Sequence, residues 1–112
     1  MREEDRIPAY WAVIPASVRY NENLSNGAKL LYGEISALCN REGYCWANNM
    51  YFSKLYKKET RTIQRWLEQL EGEGFIAAEY DKFDEIKLRR KIWIIDMDRP
   101  IVRFGRGEDD DE

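Results

Sequence analysis

The apolar period of this chain changes once, from helical to strand-like, across the glycines Gly72 and Gly74. Ahead of them Ile63, Trp66, Leu67 and Leu70 recur at i, i+3, i+4 and i+7, which is one face of a helix. Behind them Ile86, Leu88, Ile92 and Ile94 fall on alternate positions, which is one face of a strand. Glycine just past a helix end supplies the left-handed residue that stops it. A helix from about Thr60 to Gly72, a strand from Phe75 to Tyr80, a turn over Asp81–Glu85 and a second strand from Ile86 are therefore predicted.

The same cues order the upstream half. Tyr10–Pro15 is apolar and fenced by Pro8 and Pro15, so it reads as a short edge strand or an extended arm. Ser25 is a good helix cap. Behind it Ala28, Leu31, Ile35 and Leu38, with Leu30 widening the stripe, predict a helix from about Asn26 to Asn40 that stops before Gly43. Gly43–Trp46 reads as a short strand, and Asn48 caps a second helix whose apolar face is Phe52, Leu55 and Tyr51. Lys57, Lys58 and Glu59 break that helix. Helix, tight turn, helix and then a two-stranded ribbon is the plan of a winged helix-turn-helix. The predicted fold is α+β, mainly α, with three core helices and a C-terminal hairpin wing. Its expected extent is residues 10–96, between a flexible arm (1–9) and a tail (97–112) with a disordered acidic end.

On the third helix Arg61, Gln64 and Arg65 lie at i, i+3 and i+4, so they share the face opposite the apolar stripe. Arg recognises guanine and Gln adenine in the major groove. Thr60 and Thr62 at the helix start are candidates for phosphate, with Lys57 and Lys58 just upstream. From Lys57 to Arg65 there are four basic residues and one acid; from Trp66 to Glu73 there are three acids and no base. The helix dipole prefers the reverse, by about 0.3–1 kcal/mol per charge. A phosphate arriving at the N-terminal half accounts for that inversion. A polar face with two arginines is more often plain solvated surface. The second basic stripe tips the balance: Lys87, Arg89 and Lys91 recur at period 2 on the ribbon, with Arg90 in an inward slot.

Composition excludes most other chemistry. The chain has no histidine, which removes Ser-His-Asp and Cys-His catalysis. Cys39 and Cys45 cannot supply the roughly four ligands of a zinc site, and read as buried or half-buried thiols of a reducing compartment. Neither a catalytic residue, a metal nor a cofactor is expected, and the protein is read as no enzyme. No apolar run reaches the roughly 20 residues of a membrane span, and the charged start lacks a signal peptide, so a cytoplasmic protein without membrane contact is expected. The net charge of −3 is a matter of distribution: Glu108–Glu112 are all acidic, and without them 18 basic residues face 16 acids. Most of the Trp and Tyr residues, which could in principle stack on unpaired bases, are assigned to packing. Tyr10 and Trp11 are assigned to a homodimer contact.

Several stretches carry a family resemblance: Ile14–Tyr20, Leu24–Tyr32, Gly43–Trp46, Thr62–Leu70 and Gly74–Ile76. Together they resemble the helix-turn-helix domain at the N-terminus of phage and plasmid replication proteins of Gram-positive bacteria, often followed by a DnaD-like helical region. Thr62-Ile-Gln-Arg65, then Leu67-x-x-Leu70 and Gly74-Phe-Ile76, is the most specific part. The resemblance implies binding of double-stranded DNA at an origin, replication initiation, and replication proteins as partners. A transcriptional repressor of the same fold is the alternative, and a protein-interaction module the second. Two departures stand in the turn, where Lys57 replaces the usual Gly and Glu59 the usual small cap, leaving Thr60 as a substitute cap.

Overall fold

A computed structural model describes residues 10–82 and 88–95, and within them four helices and two strands. Residues 10–15 run extended and form no strand, settling that segment as an arm. The arm crosses the first long helix at Gly33, where an added Cβ would sit 3.0 Å from Ile14 and 3.2 Å from Ala12. Tyr10 Oη donates to Glu34, and Tyr56 Oη donates to the other oxygen of the same carboxylate at 3.2 Å. Burial and the Glu34 charge hold both phenols well above their ordinary pKa, burial being the larger cause.

Pro15 then starts a single helical turn, α1 (Ala16–Arg19), which no apolar period announced because it is only four residues long. Helix α2 (Asn26–Glu42) is capped by Ser25, whose hydroxyl accepts from the Ala28 amide at 3.3 Å, and ends on left-handed Gly43. Ala28, Leu31, Tyr32, Ile35 and Leu38 are its buried stripe; Leu30 lies off it and is exposed. Helix α3 (Asn49–Tyr56) is capped by Asn48, which accepts from the Tyr51 amide at 2.9 Å. Helix α4 (Thr60–Gly72) ends in a glycine-stopped motif: Phe75 donates back to the Leu70 carbonyl and Gly74 to that of Glu71, each at 3.0 Å.

Strands β1 (Ile76–Lys82) and β2 (Leu88–Ile94) pair antiparallel, Ile76 opposite Ile94 and Glu79 opposite Lys91. Asp81 therefore belongs to a strand and not to the predicted turn, because it still pairs with Arg89. Gly43–Trp46 contributes less than a strand: Cys45 alone bridges Ile92 on the free edge of β2, through N–H···O bonds of 2.8 and 2.9 Å. One core joins helices and hairpin. Phe52, Leu31, Ile35, Ile63, Leu70, Ile92, Val18 and Cys45 are fully buried in it. No described helix is long and apolar enough to cross a membrane.

Candidate nucleic-acid interface

Helices α3 and α4 meet through the three-residue turn Lys57–Glu59. Lys57 takes the left-handed conformation (φ 57°, ψ 48°) that glycine adopts more cheaply. The turn survives without glycine because it is tied on both sides. The Lys58 amide donates to the Ser53 carbonyl at 3.1 Å, and Ser53 Oγ donates to the Lys58 carbonyl at 2.5 Å. Glu59, not Thr60, is the N-cap of α4, and its side chain makes no capping bond. Thr60 is the first helical residue.

Helix α4 is seated on α2 and α3 by Ile63, Leu67 and Leu70. The half-buried Trp66 lies against Gly27 at the start of α2. This seating turns Arg61, Gln64 and Arg65 to the exposed side, with Thr60, Lys57 and Lys58 exposed beside them and Thr62 half-buried. Past the Glu59 cap the first turn holds no acid and the last turn no base, so the dipole, with Arg61 and Arg65, favours an anion at the N-terminal end despite the Glu59 carboxylate.

Gln64 is less free than its exposure implies. Its Oε1 accepts from Asn49 Nδ2 at 2.9 Å, and its Nε2 donates to Glu68 at 3.3 Å. Asn49 also accepts from Arg90 Nη1 at 2.9 Å, while Arg90 Nη2 donates to the Ala47 carbonyl at 2.8 Å. The out-of-phase arginine of β2 is thus a strut that joins the wing to the start of α3, and through Asn49 to α4. From the sequence Arg90 is placed only in an inward slot, and Asn49 is given no role. The sole clue was a charge in an inward strand slot, beside an Asn-Asn pair at a helix start.

The wing differs from its expected basic ridge. Arg89 and Lys91 do share a face, but the register sets Asp81 opposite Arg89 and Glu79 opposite Lys91. Lys91 Nζ lies 3.2 Å from Asp81 and 5.0 Å from the centre of the Tyr44 ring. Acids thus offset the stripe, which counting basic residues along one strand did not reveal. Lys87 lies outside the described residues, as do the arm at 1–9 and the acidic tail. Tyr10, assigned to a dimer contact, is half-buried against its own chain, and Trp11 is 91 % exposed.

Residues 22–76 match the family model described as a helix-turn-helix domain. The match spans α2, α3, the turn and α4. The antiparallel hairpin that follows makes the whole a winged helix-turn-helix. No curated protein and no solved structure gives a significant match to the chain.

Proposed function

We propose that this winged helix-turn-helix binds double-stranded DNA through α4, without catalytic chemistry of its own. The observation that carries the reading is the N-terminal half of α4. Arg61 and Arg65 stand exposed one turn apart, at a helix start with no side-chain cap and no acid in its first turn. Recognition helices of this motif present that half to the major groove. Arg61 and Arg65 contact base edges, as arginine does at guanine. Lys57, Lys58, Thr60 and Thr62, with the first amides of α4, hold phosphates. Gln64 reads a base only by leaving Asn49. Arg89 and Lys87 steady neighbouring phosphates, and Lys91 contributes less because Asp81 shares its charge.

Beyond duplex binding, the resemblance of Thr62–Leu70 and Gly74–Ile76 to phage and plasmid replication proteins supports origin binding in the cytoplasm of a bacterial host. Replication proteins are then the partners. Exposed Trp11 supports a homodimer on two half-sites.

Replacing both Arg61 and Arg65 by alanine tests the site. Each base-contacting arginine is worth about 1–3 kcal/mol, and lost phosphate contacts flatten the salt dependence. Duplex affinity that is unchanged in both size and salt slope rejects the assignment. Selection of bound fragments from the host element's genome tests the process. A repeated site beside a replication gene supports origin binding, and enrichment at a promoter supports a repressor instead.

A further inference from the structure

Side chains alternate across a hairpin, so its two faces carry different chemistry. On the outer face the register sets the acids Glu79 and Asp81 against Lys91 and Arg89. The inner face carries Ile76, Ala78 and Tyr80 on β1, opposite Ile94, Ile92 and Arg90 on β2, and none of these is an acid. Ile76 and Ile92 seat this face on the core, both buried. One step nearer the tip the ribbon leaves the core, and Tyr80 there is 60 % exposed. Among the described residues its hydroxyl has no hydrogen-bond partner.

Tyr80 also stands on the reading side of the molecule. Ile92 spends its N–H and C=O on Cys45, across the other edge of β2, so Ile92 and Ala78 exchange no ladder bonds. The alternation of an antiparallel ladder makes Arg90 and Tyr80, two residues on, a pair of the same kind. In such pairs the Cα atoms are about 4.5 Å apart and the side chains lie closest. Arg90 donates to Asn49, and Asn49 to Gln64, each at 2.9 Å. The row that holds Tyr80 therefore continues, through Arg90 and Asn49, into the exposed face of α4. Arg90 acts here as a spacer whose own bonds are already made.

A duplex whose major groove takes the N-terminal half of α4 carries its phosphates past this row. Approach to the outer face brings them to Glu79 and Asp81; approach to the inner face meets no acid. A phenol O–H is a neutral donor suited to a phosphate oxygen. We propose that Tyr80 Oη donates to a backbone phosphate of the duplex, beside the groove that α4 occupies. This inference rests on duplex binding through α4. Arg89 lies on the outer face, so its contact and that of Tyr80 fall on opposite sides of the ribbon.

The test measures anisotropy of a labelled mixed-sequence duplex against the full chain over a range of salt concentrations. Tyr80→Phe removes only the hydroxyl. It is expected to weaken binding by about 2- to 10-fold, the range of one net hydrogen bond. The salt slope stays that of the parent, because no charge is lost. The Tm also stays, because the hydroxyl has no partner within the fold. Arg61→Ala/Arg65→Ala, run beside it, weakens binding and flattens the slope. Tyr80→Phe that binds like the parent, while the arginine pair has lost affinity, overturns the contact and leaves the role of α4 standing. A weaker Tyr80→Phe with a flatter slope or a lower Tm also overturns it, since the hydroxyl then supports charges or packing elsewhere. If the arginine pair binds like the parent, the role of α4 falls, and the place given to Tyr80 beside it falls with it.

Discussion

Gly27→Ala reverses the usual sign of a glycine-to-alanine change in a helix. In an unconstrained helix the exchange stabilises by up to about 1 kcal/mol, through propensity and the unfolded chain. At Gly27, the second residue of α2, the new Cβ would lie 2.1, 2.2 and 2.6 Å from Cζ2, Cε2 and Cη2 of Trp66. Carbon pairs sit best at about 3.5–4.0 Å, so the indole must retreat by more than an ångström. Tyr56 also stands edge-on to that ring, with centroids 6.1 Å apart, so a shift of the indole disturbs the packing of α4 on α3. Overpacking of this kind costs about 1–3 kcal/mol. The net expectation is a destabilisation of about 1–2 kcal/mol, a fall in Tm of roughly 5–15 °C for a domain of this size. Thermal melts followed at 222 nm measure it. Trp66→Leu in the same chain removes the clash and should make the pair less destabilising than the sum of the singles by about 1 kcal/mol. A higher Tm for Gly27→Ala alone refutes the tight seat of α4 on α2.

Lys57→Gly relieves the left-handed lysine and should raise stability by about 0.5–1 kcal/mol. It should also weaken duplex binding and shallow the salt slope by about one charge; a lower Tm contradicts the strain. Burial pushes the Cys45 thiol from 9.0 up to about 11, so the folded state holds that proton longer than the unfolded chain. The stability this gives is complete below about pH 9 and is lost as pH rises towards 11, about 2–3 kcal/mol in all. Denaturant melts across that range should show the decline, and Cys45→Ala should reduce it; an equal decline in the variant assigns it elsewhere, Tyr10 and Tyr56 being next. Arg90→Ala removes two bonds at 2.8 and 2.9 Å and leaves the Ala47 carbonyl and Asn49 without their donor, a loss of about 1–3 kcal/mol. Hydrogen exchange in β1 and β2 should accelerate more than in α2, and uniform protection rules out the strut.

The three longer helices, α2, α3 and α4, were legible because their signals are local. Ser25 and Asn48 announce two starts, Gly43 and Gly74 two ends, and the stripe from Ile63 to Leu70 admits one orientation of α4. That orientation alone puts Arg61 and Arg65 outside. What stayed hidden depends on pairing between segments. Nothing within Leu88–Ile94 states that Glu79 and Asp81 will stand opposite its cations, because register is set by the hairpin as a unit. Nor does Gly43–Trp46 show that one bridge at Cys45 will align Tyr44 and Trp46 beside the wing. At the turn it was the cap that was misplaced, Glu59 taking it instead of Thr60. Lys57 does hold the glycine-like position, and its geometry is enforced by Ser53, four residues upstream and in another element.

Asn49 shows how pairing of this kind reaches the reading face. Its amide is shared, Oδ1 accepting a hydrogen bond from Arg90 on the wing and Nδ2 donating one to Gln64 on α4. A Gln64 side chain that turns towards an adenine edge gives up the Asn49 bond, leaving Asn49 Nδ2 to find water or phosphate. The exchange is near neutral while Asn49 stays hydrated, since a net protein hydrogen bond is worth about 0.5–1.5 kcal/mol. It becomes costly once DNA has covered the site, where an unmatched donor bears its full desolvation. Gln64 therefore discriminates only at sites where the new partner replaces the old one in full, while Arg61 and Arg65 meet no such competitor among the described residues. Asn49→Ala frees Gln64 and strands Arg90 Nη1 in one step. It should alter base preference at the Gln64 position without changing the salt slope, and selection of binding sites with each protein reads the difference. Identical preferences from the two proteins mean that Gln64 never leaves its place.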